Sequence, residues 1–193
     1  MYIKYSVIIP HLNDHARLER MLNSIPLERP DIEVIVVDDC SDKVELTERL
    51  KHRWVSVTWK RSVHRSGAGN ARNLGIDSAS GYWLLFADSD DEFLPGAFDV
   101  FDKSLKLEDQ LVYFLVEAIQ ENNGRPSNRS ERMNDCVFDF LKGSDRRCLS
   151  KLLLKHVNPV GKVYSSEFIR RIGVRFDGVW LSNDTAFNVL AGV

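Results

Sequence analysis

Through its first hundred residues the chain alternates two rhythms. Short continuous apolar runs at residues 6–9, 33–37, 55–59 and 82–87 are separated by stretches at 16–25, 43–52, 69–79 and 97–107, where apolar residues recur every three or four positions. Leu18, Met21, Leu22 and Ile25 line one face of the first such stretch, and Pro26 closes it. Ser41 or Asp42 stands where a cap for 43–52 belongs. Unbroken apolar strands alternating with amphipathic helices predict an α/β fold, a mostly parallel sheet with helices on both faces.

The second half is less regular. Residues 111–116 read as a strand, and 120–134 as a polar, flexible loop around the turn signal Asn122-Asn123-Gly124-Arg125-Pro126. Short helices are expected at 138–141 and 149–154, an extended piece at 160–164, and helices at 167–172 and 184–190.

Composition narrows the class. The chain has 193 residues, 44% of them hydrophobic and 28% charged, with a formal charge of −2, which suits one globular domain. No apolar run reaches the roughly 18 residues that span a bilayer, and the opening residues lack a signal-peptide layout. Cys40, Cys136 and Cys148 lie far apart without a CxxC pair, so neither a disulfide framework nor a zinc site is indicated. A cytoplasmic location is the expectation. The near-zero charge conceals a split: residues 1–124 carry 14 Lys/Arg against 21 Asp/Glu, and residues 125–193 carry 12 against 7. An acidic half suits a metal or nucleotide. A basic half, with Arg125, Arg129, Arg132, Arg146, Arg147, Lys151 and Lys155, suits peripheral contact with the inner face of a membrane or a diphosphate-linked acceptor; scattered surface charge is the plain alternative. No nucleic-acid motif or aromatic-basic stripe is present, and no nucleic-acid partner is expected.

In an open parallel sheet, ligands bind beyond the carboxyl ends of the strands. Those ends carry Pro10-His11-Leu12-Asn13-Asp14, Asp38-Asp39-Cys40-Ser41-Asp42 and Asp88-Ser89-Asp90-Asp91-Glu92. Carboxylates crowded on one rim raise each other's pKa unless a cation compensates them, and Asp88-x-Asp90-Asp91 offers the hard oxygens that magnesium or manganese prefers. Acidic turns also cap helices, which is the plain alternative. Ser66-Gly67-Ala68-Gly69-Asn70-Ala71-Arg72-Asn73-Leu74-Gly75 places glycines before a helix, where N–H groups face an anion or simply turn the chain.

Taken in order, Ser6-Val7-Ile8-Ile9-Pro10-x-x-Asn13, Val36-Val37-Asp38-Asp39-x-Ser41-Asp42, Gly67-x-Gly69-x-Ala71-Arg72-Asn73-x-Gly75, Phe86-x-Asp88-Ser89-Asp90-Asp91 and Asn183-Asp184-x-x-Phe187 resemble the family 2 glycosyltransferases of the GT-A (Rossmann-like) fold. The resemblance spans residues 5–190, densely up to 95 and again from 158. It implies an inverting, metal-dependent transfer from a UDP-sugar to a glycan or lipid-linked acceptor, in envelope or capsular polysaccharide assembly. Pro10, Asn13, Asp39, Arg72, Asp88 and Ser89 would form the nucleotide-sugar site, with Asp39 at the uracil, Arg72 at the base or diphosphate and Asp88 near the ribose. Asp90 with Asp91 would hold Mn2+ or Mg2+, and Asp184 would be the catalytic base. Residues 1–95 would be the donor and metal half and 96–193 the acceptor half of one catalytic domain, cut short after its base-bearing helix. Leu12 stands where relatives often stack an aromatic on the base, and Asn183 where Glu is common.

Several residues keep two readings. Ser182-Asn183-Asp184 is also a sound N-cap; Lys162 reads as an acceptor or diphosphate contact or as a solvated charge; Trp180 reads as a sugar platform or as core. His11 reads as a structural hydrogen-bonder. Two rival functions stand beside the transferase: a noncatalytic nucleotide-sugar-binding module, and a phosphatase of the haloacid-dehalogenase kind, which the Asp91 after Asp88-x-Asp90 disfavours.

Overall fold

The computed structural model describes residues 2–143 and 145–192. Its elements are β1 Tyr5–His11, α1 His15–Asn23, β2 Ile32–Asp38, α2 Val44–Arg53, β3 Thr58–Arg61, α3 Ala68–Ser78, β4 Trp83–Phe86 and α4 Ala97–Ser104. There follow β5 Leu111–Tyr113, α5 Glu131–Gly143, α6 Arg146–Lys155, β6 Lys162–Ser165, α7 Ser166–Ile172 and α8 Thr185–Leu190. The sheet order is β3-β2-β1-β4-β6-β5. β1 pairs in parallel with β2 and β4, and β2 with β3; β6 alone runs against its neighbours β4 and β5.

Alternation along the strands builds two cores. Val7 and Ile9 of β1 pack with Leu18, Met21 and Leu22 of α1, Leu50 of α2, and Phe98 and Phe101 of α4. Ile8 points the other way, to Ala71 and Ile76 of α3, Ile169 of α7 and Phe187 of α8. Both faces of the sheet are therefore covered, and its strands are apolar throughout. Helix α3 sits close to β1 because residue 75 is glycine: a Cβ there would lie 2.3 Å from Cγ2 of Ile8.

Three expectations shift. Only the end of the run at 55–59 enters the third strand; α2 continues to Arg53, a turn at Trp54–Val57 follows, and the strand starts at Thr58 and runs to Arg61, leaving Val55 85% exposed. The strand expected at 111–116 ends at Tyr113. The polar segment 120–134 is a turn only to residue 124; a 3-10 turn at Asn128–Ser130 then leads into the 13-residue α5, which absorbs the short helix expected at 138–141. Only a narrow stripe of α5, Cys136, Val137 and Phe140, packs against Leu152 of α6 and Tyr113, so its composition reads as loop. The basic cluster proves to be spread over this α5–α6 hairpin and the turn before it.

His11 ends β1 at 2% exposure, its ring 4.9 Å from that of His15 and both nitrogens without a partner among the described residues. Burial first, and then the neighbouring His15, push it down to about 4 from 6.5, so it is neutral in the fold. The unfolded chain binds this proton more readily, so the stability owed to a neutral His11 is present above pH 6.5 and is lost as pH falls toward 4. His11→Phe should remove that slope, on the order of 3 kcal/mol across the window. Urea unfolding of both proteins at pH 7 and pH 4 measures it; equal slopes would contradict the burial argument.

Candidate active site

Four segments meet at the carboxyl rim of the parallel strands. After β1, Pro10 is buried within the strand and Asn13 takes φ 64°. Asn13 ties the first two rim loops together: its N–H donates to Ser41 Oγ (2.8 Å), its Nδ2 to Asp42 Oδ2 (2.8 Å), and its Oδ1 accepts the Asp42 N–H (2.8 Å). Asp38, at the end of β2, is buried and pairs with Arg61.

Asp39, 3% exposed, turns its carboxylate to the loop before α3. It accepts the Ser66 N–H (3.0 and 3.1 Å), the Ser66 hydroxyl (3.2 Å) and the Gly67 N–H (2.7 Å). The anion that these amides meet is the protein's own carboxylate. The glycine-bearing segment also grips a distant loop. Asn73 Nδ2 donates to the Phe176 carbonyl and its Oδ1 accepts the Phe176 N–H, both at 2.9 Å. A Cβ on Gly69 would lie 2.2 Å from the Asp177 carbonyl oxygen and 3.0 Å from Cβ of Asn183. Only glycine lets these two backbones touch.

Arg72 is the centre of this arrangement. It is 5% exposed and its guanidinium stands 5.3 Å from the Phe176 ring centroid. One arm donates to Asn183 Oδ1 (3.0 Å) and the other pairs with Asp88, while Nε has no partner among the described residues. A single side chain thus links the acidic turn after β4 to the residue before Asp184. Beneath it Phe86, Tyr164, Phe176 and Phe187 form an aromatic block, with Phe176 and Phe187 stacked at 3.9 Å.

In the turn after β4, Asp88, Ser89 and Asp91 are half-buried and Asp90 is exposed. Carboxylate oxygens of Asp88, Asp90 and Asp91 lie within 4.8 Å of one another. Burial, then the charges of Asp88 and Asp90, push Asp91 up to about 6. Three hard oxygen donors whose repulsion a divalent cation would relieve are a donor set that fits magnesium or manganese. The Asp90 carbonyl is held by Arg20 of α1 at 3.0 Å, and Glu121 binds both Arg17 and Arg20, so the turn is tethered from outside.

Asp184 occupies the N-cap position of α8, yet its side chain makes no capping bond; its carbonyl is engaged by the Asn188 N–H (3.0 Å) and Nδ2 (2.8 Å). Asn183, met in the sequence as a departure from Glu, supplies the carbonyl that Arg72 needs. Lys162 is no solvated charge but is 3% exposed, and Trp180 is no core residue but is 64% exposed, beside Gly67. His11 lies in the α1-side layer with His15, away from the Arg72 cluster. Sequence reasoning missed the Asn73 clamp and the Lys162–Asn188 bond; it looked just after each strand, whereas Lys162 begins the one strand that runs the other way.

Comparison with known proteins bears on the family and the fold. The chain is 28% identical over 178 residues to a poly(ribitol-phosphate) beta-glucosyltransferase of Bacillus spizizenii, covering 89% of the chain and 24% of that relative. It is 35% identical over 98 residues to a GalNAc(5)-diNAcBac-PP-undecaprenol beta-1,3-glucosyltransferase of Campylobacter jejuni, covering 49% of the chain and 32% of that relative. Its fold matches Staphylococcus aureus TarS 1–349 in complex with UDP-GlcNAc (TM-score 0.70, 22% identity, 98% of this chain and 53% of that one). It also matches a Pyrobaculum calidifontis mannosyltransferase in complex with GDP-Man and Mn2+ (TM-score 0.64, 19% identity, 96% and 50%). The chain thus spans at most a third of these curated relatives and about half of the solved chains. The model of the family described as "Glycosyl transferase family 2" matches residues 6–173, most of the chain, and the protein belongs to that family.

Proposed function

We propose that the chain carries the donor site and base of an inverting glycosyltransferase that moves a sugar from a UDP-sugar to a hydroxyl of a glycan or lipid-linked acceptor. The observation that carries this reading is Arg72, which joins the acidic turn after β4 to the loop that delivers Asp184. The relative named for an undecaprenol-linked glycan supports a lipid-linked acceptor, and the TarS complex supports a UDP-sugar.

In this reading Pro10, Asn13 and Asp39 shape the nucleotide end of the site, with the Asp39 loop at the uracil. Asp88 and Ser89 face the ribose, and Arg72 adds positive charge near the diphosphate. An acceptor hydroxyl is a poor nucleophile at neutral pH, so Asp184 takes its proton as the oxygen attacks the anomeric carbon from the side opposite the leaving diphosphate. One displacement inverts that carbon. Magnesium or manganese held by Asp90 and Asp91 would offset the charge gathering on the diphosphate. The basic α5–α6 hairpin is the surface offered to an anionic membrane or acceptor.

The test is UDP release from a panel of UDP-sugars with manganese, with and without candidate acceptors. Asp90→Ala should weaken metal-dependent donor binding and turnover at least about tenfold. Equal release by Asp90→Ala, or by the native chain in EDTA, would contradict the metal assignment. Donor binding with no turnover would identify a noncatalytic module instead.

A further inference from the structure

Behind Asp184 lies a buried cation that the proposed chemistry leaves unused. Lys162 opens β6, and the reversed direction of that strand brings its first residue to the rim, where it pairs with Tyr113 of β5. Its Nζ donates to the His156 carbonyl (2.5 Å) and to Asn188 Oδ1 (2.8 Å), and stands 5.0 Å from the Tyr113 ring centroid. No ion pair of Lys162 occurs among the described residues. An ammonium held this way costs folding free energy, and nothing in the core packing requires it.

What it holds is the turn that presents Asp184. Asn188 lies one turn further along α8; its Oδ1 accepts from both Lys162 and the Tyr164 hydroxyl (2.6 Å), and its Nδ2 donates to the Asp184 carbonyl (2.8 Å). Helix α8 has six residues, too few to persist by its own hydrogen bonds. The surrounding groups give Lys162 little competition for Asp184. His156, after α6, is pushed down to about 4 by burial and then by Lys162 itself, so it is neutral. Tyr113 of β5 is pushed up to about 12 by burial, and Tyr164 of β6 upward by burial, so both keep their protons. Arg72 of α3 acts on Tyr164, and the carboxylate acting on Lys162 is that of Asp184. Burial pulls Lys162 down to about 7, and Asp184 opposes that fall.

We propose that Lys162 is a positioning residue for sugar transfer: through Asn188 it fixes the helix turn that carries Asp184. The inference rests on Asp184 being the base. The test uses the chain with 13C-labelled lysine, titrating Lys162 by NMR in the native protein, Asp184→Asn and Asn188→Asp, and measures UDP release with manganese across pH 6 to 9. Lys162 should titrate near neutrality, at lower pH in Asp184→Asn and at higher pH in Asn188→Asp, where its acceptor becomes anionic. Lys162→Met should lower kcat at least about tenfold with donor KM unchanged, and erase the ionisation near pH 7 from the kcat profile. If that variant does not fold, Asn188→Asp carries the kinetic arm: it keeps an acceptor for Lys162 and Tyr164 but loses the bond to the Asp184 carbonyl, and the kcat ionisation should move upward. A Lys162 midpoint unmoved by Asp184→Asn, or native kcat in Lys162→Met, overturns the inference. A coupled midpoint in a chain that releases no UDP supports the link to Asp184 and counts against the transferase reading alone.

Discussion

Asp184→Asn is expected to bind a UDP-sugar as the native chain does and to turn it over at least about a hundredfold more slowly, a loss of about 3 kcal/mol in transition-state stabilisation. The substitution is isosteric and removes the carboxylate's charge together with its ability to take a proton. It leaves α8 intact, because the Asp184 side chain makes no capping bond and Asn is as good a cap. The bonds that hold the turn run from Asn188 to the backbone carbonyl at 184 and survive the change. Calorimetric titration with the donor separates binding from UDP release. Normal turnover would remove Asp184 from the reaction.

The second large effect is expected at Arg72. Arg72→Met keeps the stem against Phe176 but removes both arms, leaving Asp88 and Asn183 without their shared partner. Stability should fall by about 2 kcal/mol, less than for a fully buried pair because Asp88 is partly exposed, and turnover should fall at least about a hundredfold as the turn after β4 and the Asp184 loop lose their common anchor. Arg72→Lys restores charge without the planar fork, so it should recover much of the stability and little of the turnover. Urea unfolding and UDP-release kinetics on both variants decide this. A lysine variant with native kcat would show that charge alone suffices and that the two-armed bridge has no geometric role.

The parallel half of the fold was legible because its strands are continuous apolar runs and its helices carry clean apolar stripes, as with Leu18, Met21 and Leu22. The rim was legible for a related reason: in parallel strands the polar residues that follow each run emerge on one side, which brings the ends of β1, β2 and β4 together. Helix α5 was hidden, since few of its residues reach a core and the rest are polar. Strand β3 was misplaced because a β-branched valine at 55 suggests a strand, while an edge strand of Thr58–Arg61 has little burial to mark it. Lys162 and Asn188 were illegible because neither has a local signature: their bond joins the antiparallel strand to a helix 26 residues on, and a lone lysine carries no sign of burial. Asn73 was read only as part of the glycine-bearing segment that enters a helix, whereas its amide is matched to a backbone 103 residues away.

The grip of α3 on the loop from Phe176 to Asn183 sets how freely these positions can vary through descent. Residue 69 admits glycine alone, since the obstacle is a backbone oxygen that no substitution elsewhere removes. Residue 183 is open to any side chain that offers Arg72 a carbonyl or carboxylate oxygen at the right reach, a set that contains both Asn and Glu. Residue 176 is unconstrained by Asn73, which bonds only its backbone, and is held aromatic by Phe86 and Phe187 instead. Drift at 176 and 183 is therefore negotiated with a shared neighbour, Arg72, and at 176 with Phe86 and Phe187 as well, while 69 stays fixed.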